Sequence, residues 1–334
     1  MVDTDQILID IAEYAHSFRI TSELAYETAH DCLMYGLACG FLALKFPACT
    51  RLLGPVVPGA TLRAGARVPG TAYELDPINA AFNIGVMIGW RDSNDSLDSN
   101  DTGLAVEWNH PSDNLGGILG VADYLSRAGT SIRVRDVLAG LIKAHEIQGL
   151  LSMQTRLESA GLDHVLLVRV ASTAVVTAML GGTRAQIIDA VSHAWIDGGP
   201  LCIYRQAPNG GSRQSWAGAD ATSRAVRLAL FALKGEMGYR SALSAKTWGF
   251  QDVSLQGRRI VVERPFGSYV MENALFEREP RAAATPFLVS KFDSSVAAHF
   301  PAKQTESIKT MFAGRDALAA MPVRDFVAKL VTAA

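Results

Sequence analysis

Residues 165–180 read VLLVRVASTAVVTAML, and a helix built on them, starting at Asp163, is apolar nearly all round. Such a helix cannot lie on a surface. Other helices have to enclose it, so the spacing of apolar residues elsewhere decides the fold class. Those spacings are helical through most of the chain. Ile7, Ile11 and Tyr14 share one face behind Asp3 or Thr4, and Leu24, Thr28, Leu33 and Leu37 share another behind Thr21–Ser22, until Pro47 ends the pattern. Further helices are expected over 78–90, from Asp113 or Asn114 through Leu125, over 134–159, from Thr183 to about Trp195, and over about 214–234. Gly/Pro-rich connections fill 50–76 and 197–212. Residues 245–270 carry extended patterns that predict a small β element, and three short helical patterns follow Pro286. The expected class is mostly α, a compact multi-helix domain.

Of 334 residues, 49% are apolar and 19% charged, which excludes a disordered chain. Lys+Arg 31 against Asp+Glu 33 leaves a net charge of −2, with basic residues dispersed, so no nucleic-acid footprint exists. Cys32, Cys39, Cys49 and Cys202 form no CxxC pair and support neither a zinc knuckle nor an iron–sulfur cluster. They read as buried thiols in a reducing compartment. No apolar run reaches membrane-spanning length, and MVDTDQILIDIAEY is unlike a signal or transit peptide, so a cytosolic protein is expected.

The chemistry concentrates in Arg91–Gly117, RDSNDSLDSNDTGLAVEWNHPSDNLGG. RDSNDS and LDSNDT within it are near copies, six residues each. Without a turn glycine or a twelfth-position glutamate the run is no calcium loop, and taken alone it reads equally as a solvated polar loop. His110 and Ser112 lie before the helix of Leu115–Leu125, where free N–H groups and the dipole favour an anion. His164 and Arg213 take the same position before two other helices, and Tyr204 and Arg205 add donors in the 197–212 loop. Taken singly, each histidine also fits a capped surface residue, and Arg213 a surface ion pair. His145 and Glu146 fall inside a helix and read as structural.

These motifs carry a resemblance. LDSNDT, AVEWNHPSDNLGGILGVADYLSR, KAHEIQG, GLDHVLLVRVASTAVV, SWAGADATSRAVRLAL and RPFGSYVMENALF, in this order, resemble the MmgE/PrpD family, in its 2-methylcitrate dehydratase branch. The resemblance covers about 5–276 and resumes over 286–332. It implies the family's helical domain, pairing as a homodimer, and a metal-independent, cofactor-free hydro-lyase acting on a small tricarboxylate such as 2-methylcitrate. A cis-aconitate decarboxylase, which shares the fold, and an inactive remnant are the alternatives. By position, the resemblance places Asp98, Thr102, His110 and His164 in proton handling, with Arg205 and Arg213 on substrate carboxylates; Tyr204 and Ser112 join the substrate-binding set. Ser99 and Gly103 depart from the family's aromatic and tryptophan.

The family interrupts its helical domain after a VMENxLF-like segment with an α+β lid. Here Phe276 runs directly into EREPRAAATPFLVSKF, so most of the lid is expected to be missing, and Glu277 stands where the family has an active-site lysine. The expected organisation is a helical main domain over 1–276, a junction over 277–285, and C-terminal helices over 286–334 packing back on the main domain.

Overall fold

The computed structural model describes residues 3–90, 96–97, 110–197, 199–276 and 279–332. Among them the helices are α1 (Gln6–Ser17), α2 (Glu23–Ala43), α3 (Pro47–Thr50), α4 (Pro77–Gly89), α5 (Leu115–Arg127), α6 (Val134–Thr155), α7 (Val165–Met179) and α8 (Arg184–Ile196). After these come α9 (Ala217–Leu233), α10 (Phe250–Ser254), α11 (Arg281–His299), α12 (Ala302–Ala313), α13 (Arg315–Ala320) and α14 (Val323–Ala328). The mostly α class read from the sequence is the observed one.

Side-chain caps set several starts. Ser22 accepts from the Ala25 amide at 3.1 Å, and Asp76 from Ile78 and Asn79 at 2.9 and 3.1 Å. Thr183 and Gln186 form a capping box at α8. Helix α7 is central: every residue from Val165 to Thr177 is buried, and it packs against α5, α6, α8 and α9. Its two buried threonine hydroxyls at 173 and 177 are absorbed locally, Thr173 donating to the Arg169 carbonyl at 2.7 Å and Thr177 to that of Thr173 at 2.6 Å.

Helices α4, α5 and α9 meet at backbone contact. A Cβ on Gly116 would sit 2.5 Å from the Ala81 carbonyl oxygen, and one on Gly85 would sit 2.8 Å from the Ala219 Cα. The glycine pair of NLGG therefore lets the start of α5 nest between its neighbours. The wandering 50–76 segment is pinned to α5 by Arg67, whose amide and guanidinium both reach Asp123, the closest contact being 2.6 Å. Helices α11, α12, α13 and α14 return to the main body, α11 on α2, α13 on α6 and α14 on α5. Among the described residues no helix is long and apolar enough to cross a membrane.

Three expectations are corrected. The β element lies outside 245–270, where the chain forms α10 and turns. It is a small antiparallel sheet of β3 (Ser96–Leu97), β4 (Ala274–Phe276) and β5 (Glu279–Pro280), in that order, besides the pair β1 (Ala66–Arg67) and β2 (Glu74–Leu75). Alternating Trp248, Phe250 and Val253 imitated a strand, but the amides of Phe250 and Gln251 bond locally to Ala242 and Leu243. Helix α11 starts at Arg281 and runs through Pro286, which sits in its first turns. Asn114 is not a cap: Pro111–Asn114 is a turn of 3₁₀ helix that continues into α5, with Asn114 in helical conformation.

Candidate active site

The turn Pro111–Asn114 presents His110 and Ser112 and is fixed from below by Asn114. The Asn114 amide donates to the Pro111 carbonyl at 2.8 Å and to Gln148 of α6 at 2.6 Å. Its oxygen accepts from Ser172 of α7 at 2.7 Å. Ser172 in turn meets Thr222 of α9 at 2.8 Å, and Thr222 accepts from the Gly117 amide at 3.0 Å. All of these side chains are buried, so the turn is held by hydrogen bonds that water cannot replace. His110, Ser112 and Asp113 are buried with it.

His164, at the start of α7, brings its ring to 5.8 Å from that of His110, edge to face. Its Nδ1 lies 3.2 Å from Oδ1 of Asp163, and its Nε2 is buried without a hydrogen-bond partner. Burial lowers the His164 pKa to about 3, aided by His110 and opposed by Asp163. The ring is therefore neutral, and offers a ligand a hydrogen-bonding group rather than a charge. Asp163 also accepts from the Val165 amide at 3.0 Å, and through Oδ2 from Arg205 Nε at 2.5 Å. Burial alone would raise Asp163, but His164 and Arg205 hold its carboxyl below the usual carboxylate range.

The loop before α9 supplies the remaining groups. Tyr204 packs among Val165, Val168, Ala217 and Ala221. Its hydroxyl is buried without a partner, and burial followed by Asp163 raises its pKa. Arg205 and Arg213 place their guanidiniums 5.6 and 5.5 Å from the Tyr204 ring. Arg213 also stacks 4.4 Å over Trp216 and pairs with Asp220 at 3.3 Å. A cleft of about 200 Å³ opens beside Arg213, lined also by Arg169, Asp197, Asp220 and Arg224.

His110, His164, Ser112, Tyr204, Arg205 and Arg213 thus gather around the starts of α5, α7 and α9. Asp98, Thr102 and Glu277 lie outside the described residues. His145 and Glu146 stand apart: His145 donates through Nδ1 to the Leu141 carbonyl at 2.9 Å, and Glu146 binds the 267–270 loop. Sequence reasoning missed Asp163 as a group touching both His164 and Arg205, and missed the Asn114 network. An acid directly before a histidine at a helix start was the signal for the first. No spacing rule reveals the second, because its members come from four helices and turns. Among the described residues no group of three His, Cys, Asp or Glu is arranged to hold a metal ion.

The MmgE/PrpD N-terminal domain matches residues 9–263. The chain is similar to the 2-methylcitrate dehydratase of Salmonella typhimurium, 59% identical over 280 residues, covering 82% of this chain and 57% of that protein. The 2-methylcitrate dehydratase of Cupriavidus necator matches at the same 59% over 280 residues, with the same coverage of 82% and 57%. The mitochondrial 2-methylcitrate dehydratase of Yarrowia lipolytica is 53% identical over 281 residues, 82% of this chain and 53% of that protein. The chain spans little more than half the length of the curated relatives it matches.

Proposed function

The chain belongs to the MmgE/PrpD family, and on that premise we propose that it carries the helical half of a hydro-lyase site that eliminates water from 2-methylcitrate or a related alkylcitrate. The observation behind this reading is the pair of buried histidines 5.8 Å apart, flanked by Arg205 and Arg213. Elimination needs a base for the proton next to a carboxylate, and an acid to protonate the departing hydroxide. The electron pair of the broken C–H bond becomes the new C=C bond as the C–O bond breaks, and the hydroxyl leaves as water. Charge gathers meanwhile on the neighbouring carboxylate, where a guanidinium stabilises it.

His110 is the proton-transfer residue in this scheme, with Asp98 the next candidate for that role and Thr102 in support. His164, kept neutral, offers a hydrogen-bond acceptor at Nε2. Arg213 and Arg205, with Tyr204 and Ser112, orient the carboxylates. The names of the relatives favour dehydration over decarboxylation of cis-aconitate. A homodimer, implied by the family resemblance, and a reducing, cytosolic compartment, with which four buried free cysteines agree, are part of the same proposal; size-exclusion chromatography with light scattering checks the stoichiometry.

The test is a turnover assay on the full chain with 2-methylcitrate, following alkene absorbance and carbon dioxide release together. Alkene without carbon dioxide is expected. Both His110→Ala and Asp98→Ala should abolish it while leaving the far-UV circular dichroism unchanged. Turnover that survives either change would remove that residue from the chemistry, and carbon dioxide release would replace dehydration by decarboxylation.

A further inference from the structure

Asp163 has no free oxygen. Oδ1 accepts from the Val165 amide at 3.0 Å and lies 3.2 Å from His164 Nδ1, while Oδ2 accepts from Arg205 Nε. The carboxylate is buried and held on both sides, so it cannot turn away from the imidazole. The backbone around it is tied as well. The Asp163 amide donates to the Pro200 carbonyl at 2.8 Å, the Cys202 amide donates to the Gly161 carbonyl at 2.9 Å, and Leu162 and Leu201 pair as an antiparallel bridge. The loop that carries Tyr204 and Arg205 is thereby fastened to the residues that start α7.

We propose that Asp163 is a positioning residue of the site, fixing His164 as the tautomer protonated on Nδ1 so that Nε2 is left as an acceptor, and holding the Arg205 guanidinium beside it. The physical ground is electrostatic. A lone pair on Nδ1 would lie 3.2 Å from a carboxylate oxygen and be repelled by its charge, whereas a proton there is attracted to it. Nε2, buried without a partner, is then the nitrogen that can take a hydrogen bond from a bound molecule. A capping role alone predicts something different, because asparagine caps a helix as well as aspartate does. Asp163→Asn keeps the cap and the shape. It removes the charge that selects the tautomer and leaves only a weaker, neutral acceptor at the oxygen that His164 and the Val165 amide share. As a reading of catalysis this rests on the elimination proposed above, but the tautomer can be measured without substrate.

The experiment is NMR of the full chain with ¹⁵N-labelled histidine, the His164 signals being identified by their loss in His164→Gln. The wild type is expected to show a protonated Nδ1 and a bare Nε2. Asp163→Asn is expected to shift the proton toward Nε2 and to lower kcat at least tenfold with a smaller change in KM. A wild-type His164 protonated on Nε2 overturns the proposal, as does an Asp163→Asn spectrum with the tautomer unchanged. Should that variant fail to fold, the wild-type spectrum still decides. If the spectra are as expected and the wild type turns over no tricarboxylate, the elimination reading falls and the role of Asp163 in setting the tautomer stands.

Discussion

Glu146 decides whether the KAHEIQG motif contributes chemistry or architecture. It is fully buried on α6 and accepts four hydrogen bonds, from the Gly267 and Ser268 amides at 2.9 and 2.7 Å, the Ser268 hydroxyl at 2.9 Å and the Val270 amide at 2.7 Å. Hydrogen bonds to a charged acceptor are worth about 1.5–3 kcal/mol each, and a straight sum overstates the effect because burying the carboxylate costs solvation. Ser268 is exposed, so water can replace the carboxylate there, whereas Val270 is buried and its amide would be orphaned. Glu146→Ala is therefore expected to cost about 3–5 kcal/mol, well under the sum of the four bonds because the desolvation of the carboxylate is removed with it. An unfolding entropy of about 2.1 cal/mol/K per residue gives roughly 0.7 kcal/mol/K for this chain, so Tm should fall by about 4–7 °C. Glu146→Gln keeps one acceptor oxygen and should fall by roughly half as much. Thermal unfolding followed by far-UV circular dichroism measures both, with limited proteolysis of residues 256–270 as a local readout. A drop below about 1 °C for Glu146→Ala would refute the anchoring account, since about 0.7 kcal/mol is too little for an orphaned buried amide. Loss of turnover in Glu146→Gln at unchanged Tm would instead put Glu146 in the chemistry.

Two further outcomes are expected. Citrate or 2-methylcitrate should bind weakly and lose affinity with added salt, and Arg213→Ala should weaken binding about tenfold, the worth of one partly screened charge contact; calorimetry that finds micromolar affinity, or indifference to Arg213, contradicts this. His164 is depressed to about 3 by burial, so below the unfolded value of 6.5 the unfolded chain binds a proton that the folded chain does not. Its contribution to stability is whole above about pH 6.5 and is lost as pH falls toward 3, on the order of 2 kcal/mol between pH 7 and 5. Urea titrations across that range should show a slope that flattens in His164→Gln, and an unchanged slope would mean the ring is not held neutral.

The helices were legible where a cap and a breaker bracket an apolar pattern. Thr183 with Gln186 and Gly181–Gly182 bound α8 within a residue or two of the reading, and the all-apolar run after Asp163 gave the central helix. The 245–270 segment misled because alternating large apolar residues look alike in a strand and in a chain of turns. At Asn114 the error came from treating a good capping residue as a cap. Its side chain instead satisfies Gln148 and Ser172, partners 34 and 58 residues away. Candidate site residues were found one helix start at a time, but sequence could not show that Arg205 and Arg213 already face carboxylates of their own chain. That is a property of which loops meet.

This pairing governs what the described half of the site can hold. Arg205 faces Asp163 and Arg213 faces Asp220, so those four groups together carry no net charge, and His164 adds none. In the adjoining cleft Arg169 pairs with Asp197, and Arg224 bridges Asp197 at 3.5 Å and Asp220 at 3.1 Å, leaving a surplus of one positive charge. A trianion entering such a place must either displace aspartates from arginines or meet further cations. Displacement is unfavourable at Asp163, which is buried and bound through both oxygens, and easier at Asp220, whose partner Arg213 is 39% exposed. Arg213 is therefore the guanidinium that can turn to a ligand, and Arg205 the one that stays with the protein. The trianion's remaining charges need cations beyond these four arginines, whose three aspartates leave one positive charge in surplus.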